Sequence, residues 1–226
     1  QYRLGAAYYS GSGIRRDYTE AVKWFRLSAE QGHAEAQLQL GIVYDIGESV
    51  RQNYTEAVEW YQLSAEQGNE EAQLRLGLSY YLGEGVHQDN AEAVKWFKLS
   101  AEQGYVNAQF FLGGAYYSGH GVRQDYAEAV KWYQLSAEQG SAEAQSQLGV
   151  AYYNGQGVRQ DYNEAIKWFR LSVGQGNADA QYNLGVIYYN GHGVRQNYTE
   201  AKEWFGKACD NGYQKGCDAY RELNNQ

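Results

Sequence analysis

Residues 109–144 read QFFLGGAYYSGHGVRQDYAEAVKWYQLSAEQGSAEA, and residues 145–180 read QSQLGVAYYNGQGVRQDYNEAIKWFRLSVGQGNADA. Laid together without a gap, they share the Leu-Gly of Leu112-Gly113 and Leu148-Gly149, the Asp-Tyr of Asp125-Tyr126 and Asp161-Tyr162, and Trp132 with Trp168. The same 36-residue step runs through the whole chain: Trp24, Trp60, Trp96, Trp132, Trp168 and Trp204 are all the tryptophans present, and Gly5, Gly41, Gly77, Gly113, Gly149 and Gly185 fall in one column. A fixed period of this length is the signature of a repeat architecture. The spacing predicts one array over 1–226, made of repeats 1–36, 37–72, 73–108, 109–144, 145–180 and 181–216 with a terminal helix at 217–226. Gln1 aligns with Gln37 in mid-helix, which predicts further residues before it.

Composition agrees with a folded chain: 226 residues, 43% hydrophobic and 20% charged, with 27 glycines, 23 tyrosines and no proline. Without proline, collagen-like and Pro-rich extended readings are excluded. No run approaches the roughly 18 apolar residues of a membrane span. The net charge of −8 opposes binding to nucleic-acid phosphates or anionic lipid.

Each unit reads as two helices. Ala36, Leu40 and Tyr44 recur at intervals of four, one stripe of a 3.6-residue helix, with Gly41 beside it. A mid-helix glycine is costly, so its return in six copies predicts a backbone approach too close for a Cβ. In the second helix Ala57, Tyr61 and Ser64 share a face, flanked by Trp60 and Leu63. Asp17, Asn53, Asp89, Asp125, Asp161 and Asn197 each precede a glutamate by three residues, which predicts a capping box in which cap and glutamate satisfy each other's N–H groups. Gly32, Gly68, Gly104, Gly140, Gly176 and Gly212 follow the second helix as left-handed terminators. The fold class is therefore all-α, an α/α solenoid whose units bury their apolar faces on one another.

Leu40-Gly41 with Tyr44, then Ala57 and Trp60-Tyr61, resembles the tetratricopeptide pattern with two extra residues in the inter-helix loop. That loop, Gly119-His120-Gly121-Val122-Arg123-Gln124-Asp125-Tyr126, followed by Ala129, Trp132, Ala137, Gly140 and Ala144-Gln145, resembles the Sel-one-like repeat (SLR) family over the whole chain. The resemblance implies a right-handed superhelix acting as a non-catalytic adaptor for protein partners, often in bacterial envelope, signalling or host-contact roles.

Other motifs read as structural. The Gly-x-Gly of the loop follows a helix and lacks the lysine of a phosphate-binding loop, so it is expected to be a turn; Ser49 replaces its second glycine in repeat two, which predicts a local difference. Arg15, Arg51, Arg123, Arg159 and Arg195, with His87 once, form a column read as a solvated edge pairing with nearby carboxylates. His120 and His192 stand two repeats apart, too far for a shared metal, and no metal or cofactor is expected. Ser28, Ser64, Ser100, Ser136 and Ser172 are explained by the period, and no catalytic residue is predicted. Cys209 and Cys217 break their columns and flank a glycine turn where a helical hairpin brings two Cα atoms within disulfide range. The alternatives are a disulfide, as in the cysteine-rich secreted SLR branch that Ala208-Cys209 and Gly216-Cys217 resemble, or two buried thiols. The first favours a periplasmic or secreted location.

Columns that vary between repeats show where the fold leaves the side chain free. On the first helix these include Tyr2, Tyr9, Tyr81, Phe110, Phe111, Tyr117, Tyr153, Tyr182 and Tyr189, and the likeness to tetratricopeptide superhelices, whose first helices line the inner surface, implies that they form a concave aromatic surface for a protein or peptide partner; the competing reading packs the tyrosine row between repeats as core. The alternative activity, implied by likeness to the cysteine-rich relatives, is weak β-lactam hydrolysis.

Overall fold

The computed structural model describes residues 1–225 as a succession of α-helices, with no strand among the described residues. The first helices of the repeats are α1 (Tyr2–Ser10), α3 (Ala34–Ile46), α5 (Glu70–Leu82), α7 (Val106–Ser118), α9 (Ala142–Asn154) and α11 (Ala178–Asn190). The second helices are α2 (Tyr18–Ala29), α4 (Tyr54–Glu66), α6 (Asn90–Glu102), α8 (Tyr126–Glu138), α10 (Tyr162–Val173) and α12 (Tyr198–Asp210), and α13 (Gln214–Asn224) closes the chain. The fold is all-α, of the helical-repeat solenoid class. Two compact units are distinguished: Gln1–Ala108 with His120–Arg123, and Gln109–Gly119 with the chain from Gln124 onward.

Within the first unit Ala36, Leu38, Leu40, Ala57, Tyr61, Ala72 and Leu76 form one buried cluster. The column glycines press against an aromatic ring rather than against bare backbone: a Cβ on Gly5 would lie 2.7 Å from the Phe25 ring, and one on Gly41 2.5 Å from the Tyr61 ring. The second unit repeats this with Gly113 on Tyr133, Gly149 on Phe169 and Gly185 on Phe205. One ring per repeat thus occupies the space that a side chain on the first helix would need.

The capping signal is half realised. Asp17 Oδ1 accepts from Glu20 N at 3.1 Å and Asn197 Oδ1 from Glu200 N at 3.1 Å, as expected. The reciprocal bond is absent, because the cap's own N–H goes to the preceding helix: Asp17 N donates to Tyr8 O at 3.0 Å, Asn53 N to Tyr44 O at 2.9 Å and Asp161 N to Tyr152 O at 2.9 Å. In other repeats the glutamate pairs with a lysine one turn on, as Glu92 with Lys95 at 2.6 Å and Glu128 with Lys131 at 2.7 Å, whereas Glu56 faces Arg26 at 3.5 Å and Glu200 accepts from Trp204 Nε1 at 3.2 Å.

Buried glutamines add a polar ladder. In the first unit Gln37 Nε2 donates to Ala29 O at 3.1 Å while its Oε1 accepts from Gln67 at 2.6 Å. In the second, Gln145 makes the same pair of bonds with Ala137 O at 3.1 Å and Gln175 at 3.0 Å. Each amide is satisfied at both ends, so its burial carries little penalty.

Both glycines of the Gly-x-Gly loop are left-handed, for example Gly119 at φ 76° and Gly121 at φ 75°. The loop is braced by a glutamine that caps the first helix, as where Gln124 Nε2 donates to Tyr117 O at 2.7 Å. Ser49 does not change the turn: it adopts φ 62°, the left-handed conformation of the glycines it replaces. The expected local difference is therefore a strained residue within an unchanged turn.

Candidate interaction surface

The first helices are mostly buried and leave one partly exposed stripe, as with Gln147, Val150 and Asn154 on α9. The tyrosine row is half-buried or exposed and tied to its neighbours. In the second unit Tyr117 meets the ring of Tyr126 edge-on at 5.1 Å and donates to Gln156 Oε1 at 3.0 Å, 39 residues later. Tyr153 packs on the ring of Tyr162 at 5.4 Å in a tilted arrangement, and its hydroxyl lies 2.8 Å from His192 Nδ1. Tyr189 packs on Tyr198 at 5.3 Å. In the first unit Tyr9 meets Tyr18 at 5.2 Å and donates to Glu48 at 2.8 Å, a bond that, followed by burial, raises its pKa. Tyr9, Tyr117 and Tyr153 thus each join a first helix to the next repeat's loop while part of the ring stays in solvent. Tyr81 is also exposed, but the second-helix position that pairs with it holds Asn90 instead of tyrosine.

The other predicted aromatics form separate groups. Tyr2 stacks on His33 with ring centres 4.9 Å apart and approaches Phe25 at 5.9 Å. Phe110 and Phe111 meet at 67° with centres 5.6 Å apart, and Phe110 also contacts Tyr133 at 5.9 Å. Tyr182 lies between Phe205 at 5.4 Å and Tyr213 at 5.3 Å. With Val186, Tyr189, Ala219 and Leu223 it lines a pocket of about 190 Å³ between α11, α12 and α13.

One charged group was missed in the sequence. Asp45 occupies the tyrosine column of repeat two and accepts the Tyr61 hydroxyl at 3.0 Å. Arg75 reaches Asp45 at 3.9 Å and is held by Glu71 through Nη2 at 2.7 Å and Nε at 2.9 Å. Burial, followed by the neighbouring Asp45 charge, pushes the Tyr61 phenol far above its ordinary range. The signal was present as a column outlier, an aspartate among five tyrosines.

The remaining motifs are structural or open. Ser64 and Ser100 donate to Ala34 O at 2.8 Å and Glu70 O at 2.7 Å, which commits the repeated serines to inter-helix bonds. Among the described residues no group of three or more His, Cys, Asp or Glu side chains is placed to hold a metal, and no helix is long and apolar enough to cross a membrane. Arg15, Arg51, Arg123, Arg159 and Arg195 are exposed, and among the described residues none of them forms the expected ion pair. Cys209 and Cys217 are joined in a disulfide between α12 and α13, with Cα atoms 4.5 Å apart.

Comparison with known proteins is consistent along the whole chain. The Sel1 repeat family model matches residues 1–33, 34–69, 70–105, 106–141, 142–177 and 178–213. The structure is similar to c5321, a protective antigen of uropathogenic Escherichia coli displaying an SLR fold, with 37% identity and a TM-score of 0.89 over 98% of this chain and 48% of that one. It is similar to a Sel1 repeat protein from Oxalobacter formigenes, with 35% identity and a TM-score of 0.82 over 98% of this chain and 64% of that one. An immunity protein from Pseudomonas aeruginosa, 20% identical with a TM-score of 0.52 over 98% and 80% of the two chains, shares the fold alone. The chain thus spans about half of the first relative and under two thirds of the second. A search of curated proteins found no match.

Proposed function

Because the chain belongs to the Sel1 repeat family, we propose that it is a non-catalytic scaffold that holds a protein or peptide on the partly exposed stripe of its first helices. The observation that carries this reading is the half-exposed aromatic content of columns that the fold leaves free, above all Phe110 beside Phe111 at 5.6 Å. Phe110 continues a column buried as Leu38, Leu74 and Ser146 elsewhere and packs on Tyr133, whereas the column of Phe111 holds arginine, glutamine and asparagine in the other repeats, so no packing requirement calls for a second aromatic there. Large rings that lose little entropy on binding are characteristic of recognition surfaces. The Cys209–Cys217 disulfide supports a role in an oxidising compartment such as the bacterial envelope or the exterior.

The test is an affinity pull-down with the intact protein beside a Phe110→Ala, Phe111→Ala double variant. Partners retained by the first and lost by the second are expected. Equal recovery by both, with helicity unchanged, would remove the aromatic assignment.

A further inference from the structure

We propose that the partly exposed stripes of α3 and α5 form a docking surface for a cationic amphipathic helix of a partner protein. This rests on the scaffold reading above and assigns a partner chemistry to a different part of the chain.

The apolar component comes from a departure from the repeat. Ile42 and Ile46 on α3, and Leu78 and Leu82 on α5, are spaced by four and so share one stripe on each helix. Ile46 is 62% exposed and Leu82 57%, whereas the same position holds Ser10, Ser118, Asn154 and Asn190 elsewhere. The helix end therefore tolerates polar residues, and folding does not require isoleucine or leucine there. The two stripes are neighbours, since Arg75 on α5 reaches Asp45 on α3 at 3.9 Å.

The charge comes from a second departure. The loop position that receives the tyrosine hydroxyl is occupied by Glu48, Glu84, His120, Gln156 and His192 in successive loops, so its carboxylates lie only in the loops that follow Ile46 and Leu82. Tyr9 donates to Glu48 at 2.8 Å. One repeat later the donor position holds Asp45, whose carboxylate accepts from Tyr61 at 3.0 Å and faces Arg75 at 3.9 Å, so no phenol reaches Glu84 from that position. Arg75, the cation of the two stripes, is already held by Glu71 at 2.7 Å. Ile46 and Leu82, exposed beside the half-buried Ile42 and Leu78, with Glu48 and Glu84 at one end and Arg75 already paired with Glu71 and Asp45, in a protein of net charge −8, complement a helix that carries leucine-like anchors along one face and lysine or arginine beside them.

The probe is a fluorescein-labelled 14-residue peptide of leucine and lysine patterned as an amphipathic helix, with a leucine–glutamate peptide of the same pattern as control. Anisotropy titrations of the intact protein at low and at physiological salt are expected to show saturable binding of the lysine peptide alone, weaker at higher salt. An Ile46→Ser, Leu82→Asn variant, built from residues the chain already carries in that column, is expected to weaken binding by roughly tenfold or more. Glu84→Gln is expected to weaken it a few-fold and to flatten the salt dependence. Unchanged affinity in the double variant, equal binding of both peptides, or self-association of the free protein that the double variant abolishes would each overturn the proposal, the last by identifying a second copy as the occupant. If the lysine peptide fails to bind while the pull-down still depends on Phe110 and Phe111, this inference falls and the scaffold reading stands. If the pull-down loses that dependence while the peptide result holds, the reverse follows.

Discussion

The phenol of Tyr61 donates its hydrogen bond to Asp45 at 3.0 Å, across the two helices of repeat two. Asp45 is the exception in a column of tyrosines, and Tyr61 is one of two tyrosines, with Tyr133, in a column that otherwise holds Phe25, Phe97, Phe169 and Phe205. The pair couples the core of α4 to the charged cluster on α3 and α5.

That coupling predicts a pH dependence. Burial raises the Tyr61 pKa from the ordinary 10.0. Below pH about 10 the phenol is neutral in both folded and unfolded chains; above it the unfolded chain ionises while the folded one does not, so the unfolded state binds fewer protons and stability falls as pH rises. The loss from this one group approaches about 1.4 kcal/mol per pH unit. Tyr61→Phe is expected to cost about 1 kcal/mol at neutral pH through the lost hydrogen bond, yet to decline less steeply in alkali. Urea midpoints followed by tryptophan fluorescence from neutral to alkaline pH would measure both, and parallel curves for the two proteins would refute the assignment.

Adjacent glycines in α7 predict opposite signs. A Cβ on Gly113 would lie 2.7 Å from the Tyr133 ring, whereas one on Gly114 meets only the Tyr133 hydroxyl at 3.7 Å, an ordinary contact. Gly113→Ala is therefore expected to destabilise by about 1–3 kcal/mol as the ring is displaced. Gly114→Ala is expected to stabilise by about 0.5–1 kcal/mol, the helix-propensity difference. Chemical denaturation of the two variants decides, and a shared sign would refute the ring-on-glycine account.

Ser49 predicts a gain from a glycine. Its φ of 62° places a side chain in left-handed backbone, the one such non-glycine among the described residues. Ser49→Gly removes about 1–2 kcal/mol of conformational cost, offset by about 0.4–1 kcal/mol of added freedom in the unfolded chain. A net stabilisation of up to about 1 kcal/mol is expected in thermal unfolding, and a lower melting temperature would contradict it.

What could be read in the sequence was what repeats. The step between tryptophans, the Asx caps and the terminating glycines marked the two helices of each repeat, because each depends on chemistry local to one turn, but the terminal helix expected from 217 starts at Gln214 and is described to Asn224. Contacts between turns were not legible. A period shows that Asp17, Asn53 and their equivalents are constant, but not that their N–H groups reach Tyr8 O and Tyr44 O rather than the neighbouring glutamates. Nor does the period show that Gln37 and Gln73 are buried with their amides on the carbonyls of Ala29 and Ala65. The tyrosine row was seen as either core or binding face, whereas half-buried rings with hydroxyls bonded to Glu48 or Gln156 have features of both. The cluster around Asp45 needed only attention to the columns' exceptions.

The disulfide predicts where the last unit loosens first. Gly216 is pressed against α12, where a Cβ would lie 2.7 Å from that of Ala208, and Tyr220 covers Gly206 at a would-be 3.3 Å. α13 thus docks through small-residue contacts and one ring, with little apolar surface to hold it once the covalent link is gone. The Cys209–Cys217 bridge closes a loop with a sequence separation of 8. For so short a loop the chain-entropy model gives about 2–3 kcal/mol. Cys209→Ala, which restores the residue most repeats carry at that position, is therefore expected to raise hydrogen exchange in α13 by roughly 30-fold or more while leaving the helices of the first unit unchanged. Exchange read by mass spectrometry, with wild type under reducing conditions as a second arm, tests this. Equal protection of α13 in all three samples would mean that packing alone holds the terminal helix, and the bridge would then have no part in capping the array.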